Sequence, residues 1–347
     1  MKSYAALSQK AIRLAPYVFL PFLVTTTAIA AGYSECVGRY TLTLPGPADV
    51  ATTTPQILEG KSIRDPIQFP DGQPAIYSSF GFNGSFIIVH DPSAEWVQAY
   101  LKKKRNFVDL NSEKIIADQD FFLGEVDASN SFALSGEGVS EFNIYKDGNF
   151  IGFKAVSYDG GRTLAKQRAR DTFMNLHVRQ PYQVPVGEGA CLPGVFVSQN
   201  KVINVSDIGV TFRLKDHPDV TIFLADRSAG DLSKMTSRQR NEFVWTSDAI
   251  GRIIHLHGPL RYRPTMMAGR WGTASFATVT GYDGATDYAY LVTVQGDPKA
   301  AVDTPDLELL VQRTAKYAAK GVPPVSGDEL ERIAKAVAAS VKRRPFQ

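Results

Sequence analysis

Pro181-Tyr-Gln-Val-Pro-Val-Gly-Glu-Gly-Ala-Cys-Leu-Pro-Gly194 divides the chain. Three prolines and three glycines in 14 positions exclude a helix interior or a central strand. A basic helical pattern, Thr163–Val178, ends before it, with Leu164, Phe173, Leu176 and His177 as core candidates and Lys166, Arg168 and Arg170 outward. Short β-rich runs follow it. The reading is a junction between an N-terminal domain, residues 31–182, and a C-terminal domain, residues 183–347. The stretch also holds Cys191, one of two cysteines; the other is Cys36.

Each half mixes antiparallel hairpins with a few helices, which is an α+β pattern of two domains, each a mainly antiparallel sheet with a few packed helices. In the first half, residues 36–45 read as a strand. Ala75–Phe82 and Ser85–His90 flank Asn83-Gly84, and Glu141–Tyr145 and Phe150–Ser157 flank Lys146-Asp147-Gly148-Asn149, both hairpin signals. Ser93 opens a helix to about Lys104, ending in Lys102–Arg105. Phe121–Val126 and Ser131–Leu134 read as strands. In the second half, strands are expected at Val195–Val197, Val202–Val205, Val210–Leu214, Val220–Leu224 and Ile253–His257, with a hairpin of Ala274–Thr280 and Tyr288–Val294. Helices are expected at Ser237–Ala249, Pro305–Lys320 and Ser326–Lys342. The last has a Ser326/Glu329 capping box and Leu330, Ile333, Val337 and Val341 on one face.

Residues 1–30 differ in kind. Lys2, Lys10 and Arg13 precede the apolar run Ala15–Val24, and Ala28-Ile-Ala30 fits a small-x-small cleavage site, which reads as a secretory signal peptide and places the protein in the periplasm. A spanning helix needs about 20 apolar residues, so no stable membrane insertion is expected after cleavage. The 347-residue chain has 38 basic and 35 acidic residues; residues 1–30 hold three of the basic ones and none of the acidic, so the remainder balances at 35 of each. That balance argues against a nucleic-acid partner. Two cysteines in an exported chain read as one disulfide, Cys36–Cys191, or as two buried free thiols.

Catalytic signatures do not emerge. No Gly-x-Ser-x-Gly elbow and no Gly-Lys-Ser/Thr phosphate loop occurs, and Gly187-Glu-Gly189 lacks the third glycine of a dinucleotide fingerprint. Of five histidines only His255-Leu-His257 is suggestive, since i and i+2 share a strand face, but no third metal ligand is adjacent. The alternative to a binding protein is therefore a periplasmic hydrolase with an unrecognised active site or a metal site at His255/His257. No cofactor is implied.

Cys36-Val-Gly-Arg-Tyr-x-Leu-x-Leu-Pro45 resembles the opening of the mature type VI secretion lipase-immunity proteins. Gly189-Ala-Cys191-Leu-Pro-Gly194-Val-Phe is similar to the segment that opens their C-terminal domain, and the closing Ser340, Arg343, Arg344 and Pro345 to their ending. Gly269-Arg-Trp-Gly272-Thr-Ala-Ser275 departs from the family's Gly-x-x-Gly-Glu-Glu segment by lacking the acidic pair. The resemblance implies a two-domain periplasmic immunity protein whose partner is a cognate lipase or phospholipase effector, with no catalytic residue of its own. Trp271 and the hairpin tip from Tyr282 to Tyr288 are the partner-contact candidates; ordinary packing is the alternative for each.

Overall fold

The computed structural model describes residues 33–58, 65–118, 121–122, 125–157, 161–198, 205–246, 253–281 and 284–344. The signal-peptide reading of residues 1–30, the strand expected at 202–204 and the contact candidate Tyr282 lie outside the described residues.

In chain order the elements are β1 (Tyr33–Val37), β2 (Tyr40–Leu44), β3 (Ala48–Val50), β4 (Thr52–Thr53), α1 (Pro55–Leu58), β5 (Ile67–Gln68), β6 (Ser79–Phe82), β7 (Ser85–His90), α2 (Ala94–Leu110), β8 (Ile115–Ala117), β9 (Ser131–Gly136), β10 (Val139–Lys146), β11 (Asn149–Val156), α3 (Gly161–Met174) and β12 (Leu176–Val178). They continue with β13 (Gly189–Leu192), β14 (Val195–Ser198), β15 (Ser206–Leu214), β16 (Val220–Arg227), α4 (Ser237–Trp245), β17 (Ile253–Leu256), β18 (Arg263–Met267), β19 (Arg270–Thr280), β20 (Thr286–Val294), β21 (Asp306–Arg313), α5 (Gly327–Ser340) and β22 (Lys342–Arg343).

One long sheet runs through both halves in the order β17-β19-β20-β21-β16-β15-β6-β7-β11-β10-β9-β8, with β18 beside β19 and β3 beside β15. Every pairing in it is antiparallel, which gives the expected α+β class. The halves meet where β6 pairs with β15, Phe82 opposite Ser206.

Side chains alternate strictly across the sheet. Val220, Ile222 and Leu224 of β16, Tyr290 and Val292 of β20 and Leu307, Leu309 and Val311 of β21 face a core shared with the β1–β2 hairpin and α5. Phe223, Ala225, Ala289, Leu291 and Leu310 face the other way, onto Trp245 of α4. In the N-terminal half Val89 and Phe150 meet Val97, Tyr100 and Leu101 of α2. The period of two in Cβ direction thus serves two apolar layers.

Burial on both faces also explains the main departure from expectation. Residues 306–313 are a strand between β16 and β20, not the helix expected at 305–320. With Leu307, Leu309, Leu310 and Val311 all buried, no polar alternation remains to separate strand from helix. Residues 121–122 are a turn rather than a strand; Phe121 and Phe122 both turn inward, their rings 6.0 and 5.1 Å from Phe173. Helix α2 runs six residues past Lys104, so the basic cluster lies inside it. There Lys104 pairs with Glu141 and Arg105 donates to the Ala128 and Ser131 carbonyls. Helix α3 stops at Met174 because Leu176–Val178 pairs with β14, and that pairing leaves His177 exposed rather than in the core. The strand expected at 36–45 is a hairpin that turns at Gly38-Arg39.

Candidate partner-binding surface

The residues that carry the resemblance converge on one buried seam. Cys36 and Cys191 form a disulfide, with Cα atoms 5.7 Å apart, and both are fully buried. Two residues on, the Gly38 N–H donates to the Cys191 carbonyl and the Cys191 N–H to the Gly38 carbonyl, both at 2.8 Å. Gly38 has φ +54°, and a Cβ there would lie 2.3 Å from Asp226 Oδ2. Only glycine fits a left-handed turn pressed onto a carboxylate.

Asp226 is the floor of that turn. It is fully buried, accepts from the Arg39 backbone N–H at 2.8 Å, and has Arg39 Nε at 3.5 Å. Burial pushes its carboxyl above the usual range, against the pull of Arg39, Arg343 and Arg270. Glu35 bonds Arg179 at 2.9 Å, both side chains buried, and accepts from the Tyr182 N–H at 2.7 Å. Arg344 donates to the carbonyls of Pro185 and Gly189 and lies over the Phe196 ring; burial, then the Arg179 charge, pulls its pKa down to about 10. Gly194, at φ +63°, passes so close to His90 that a Cβ would lie 2.8 Å from its Nε2. The β1–β2 hairpin, the junction stretch and the C-terminal strand are thereby fastened together.

The contact candidates part company. Trp271 is 71% exposed, just after the turn of the β18–β19 hairpin. Tyr288 pairs with Thr278 and packs on the opposite face, 5.9 Å from the Phe276 ring and under the Arg313 guanidinium. An odd-numbered and an even-numbered position of this antiparallel pair cannot share a face. Met266, directly across from Trp271 and half exposed, is the neighbour that sequence reasoning missed. The alternation in Arg263-Pro-Thr-Met-Met267 was the signal available for it.

His255 and His257 have ring centroids 5.3 Å apart beside the edge strand β17, and His257 Nε2 bonds Thr278 Oγ1. Among the described residues, no group of three potential metal ligands forms around them. A cavity of about 530 Å³ opens in the N-terminal half between α2 and β8–β9, lined by Arg105, Val108, Asp118, Phe122 and Phe132.

Residues 183–346 match the family described as "Tle cognate immunity protein 4 C-terminal domain". No curated protein matches. Among solved structures, the chain is similar to the immunity protein TplEi of the T6SS from Pseudomonas aeruginosa in its apo form, at 16% identity and a TM-score of 0.57, over 90% of this chain and 97% of that one. TplEi complexed with an "L" peptide matches at 15% identity and a TM-score of 0.56, over 90% and 98%. The crystal structure of the Tle4–Tli4 complex matches at 16% and 0.58, again over 90% and 98%. At such identities the likeness is one of fold, and it extends through both halves.

Proposed function

We propose that the chain, whose residues 183–346 match the Tle cognate immunity protein 4 C-terminal domain, is a periplasmic immunity protein that binds and inhibits a type VI secretion lipase or phospholipase effector. It thereby protects the producing cell from effector delivered by its siblings. The observation that carries this reading is the family match in the C-terminal half, joined to a fold that aligns with immunity proteins over 90% of the chain. The domain boundary at 182/183 is part of the proposal, supported by a family match that begins at the same residue.

The mechanism is steric. The protein supplies no reacting group; it covers the mouth of the lipase so that the enzyme cannot open onto lipid. The buried disulfide and the Arg39–Asp226 pair hold the two halves in one arrangement before binding, which lowers the ordering cost of association. One solved relative in fold carries a bound peptide, which supports recognition of a continuous stretch of the partner. The test is titration of the exported protein into a lipase-type type VI effector from the same genome, with lipase activity as readout. Inhibition that saturates at a fixed ratio is expected; full activity at excess protein refutes the reading.

A further inference from the structure

The β18–β19 hairpin presents an apolar strip that no described element covers. By strand register Pro264 lies opposite Thr273 and Met266 opposite Trp271, so Pro264, Met266 and Trp271 project from the same face, while Met267, one residue on, is buried in the core behind. Pro264 is exposed, Met266 is 50% exposed and Trp271 71%. Ala268 and Gly269, at φ +53° and +73°, form the two-residue turn that fixes this hairpin. The indole is therefore held on a rigid platform rather than on a loose loop.

Charge gathers at the Pro264 end of the strip, around Tyr262 two residues back along the chain. Arg238, exposed near the start of α4, lies 5.2 Å over the Tyr262 ring, and Arg261 beside that ring is exposed as well. Glu242 is the one carboxylate that acts on the same ring. Exposed Trp and Met bordered by Arg is the composition of interface hot spots.

From this arrangement we propose that the Trp271–Met266 strip is the docking point for the effector, and that the segment it takes carries an apolar side chain for Trp271 and Met266 and carboxylates for Arg238 and Arg261. The inference rests on the immunity reading and names the surface and the partner chemistry within it.

The test is isothermal titration of the full exported chain against the same lipase-type effector, with W271D, M266D, R238E/R261E and L110D variants. Leu110, 85% exposed at the end of α2, is the control. Wild type is expected to bind, W271D to bind about 100-fold more weakly, as loss of a central aromatic anchor does, and L110D to bind as wild type. R238E/R261E is expected to lose about 10-fold and to lose the salt dependence of the on-rate. Each variant is exposed at its site, and unchanged melting temperatures verify the fold. Wild-type binding with W271D unaltered overturns this inference and leaves the immunity reading standing. No binding by wild type overturns both. A dimer of wild type that W271D dissolves, with effector affinity unchanged, makes the strip a self-contact and overturns the inference.

Discussion

Replacing both cysteines by alanine should lower stability mainly through the unfolded chain. The Cys36–Cys191 bond closes a loop of 155 positions, and the chain-entropy relation gives roughly 5 kcal/mol for a loop of that length. An unfolding entropy of about 2.1 cal/mol/K per residue, over the 285 described residues, is about 0.6 kcal/mol/K. The expected fall in melting temperature from loss of the cross-link alone is therefore about 8 °C. The two lost sulfur atoms, which cluster with Phe196, add about 1 kcal/mol each, so C36A/C191A should melt about 11 °C lower. Calorimetry reads the temperature, and urea titration reads a second signature. An unlinked chain exposes more surface when unfolded, so the denaturant slope should rise along with the fall in midpoint. Wild type held reduced keeps both sulfurs and isolates the cross-link from the packing. A melting shift under about 2 °C with an unchanged slope, for wild type whose bond is verified by mass, would refute the loop-entropy argument.

Three further outcomes follow from the seam. Gly38→Ala puts a methyl group into the Asp226 carboxylate at a left-handed position; roughly 3 kcal/mol should be lost by urea unfolding, combining the backbone cost with the displaced contacts. Glu35→Gln strips the charge partner from buried Arg179, and breaking a buried pair from one side costs about 3–5 kcal/mol, so its midpoint should fall further than that of a control at the half-exposed Glu329–Arg332 pair, Glu329→Gln. Burial, the largest cause, lowers the His90 pKa from 6.5. The unfolded chain then binds a proton that the folded one refuses, so stability is lost as pH falls through and below about 6.5. The melting temperatures of wild type and His90→Gln at pH 7.5 and 5.5 check this. The variant should lose less on acidification, and equal losses would remove His90 as the cause.

How much of this was legible depended on where each signal resides. Hairpins declared themselves locally: Asn83-Gly84 and Asp147-Gly148 form turns, with Asn83, Asp147 and Gly148 at positive φ. Helix α5 did the same through Ser326, whose hydroxyl accepts from the Glu329 N–H, and through Leu330, Ile333 and Val337 on its buried face. Pairing across distance left no such mark. Nothing near residue 80 announces that Phe80 will sit opposite Ile208, and β21 lost its strand signal because both of its faces are covered. Tyr288 was legible as an aromatic near a hairpin tip but not as an inward one, because its direction follows from register against Thr278. Asp226 gave no signal at all; its role exists only because Gly38 lands on it.

The seam also separates two kinds of information in the sequence. Cys36, Gly38, Arg39, Cys191 and Arg344 carry much of the family resemblance, and the side chains among them are turned into the interior: Cys36 and Cys191 are fully buried, and Arg39 and Arg344 are 6% and 3% exposed. A buried side chain cannot touch a partner, so these residues specify how the halves are fastened and say nothing of which effector is bound. Specificity must be written at exposed positions on rigid elements, where a change alters contacts without loosening the fold. The hairpin with Met266 and Trp271, 50% and 71% exposed, meets both conditions. Exchanging only its exposed residues, Pro264, Met266 and Trp271, for those of another immunity protein should therefore move effector preference while leaving the melting temperature within a few degrees. A swap that unfolds the protein would instead place the hairpin with the seam, among the residues that hold the fold.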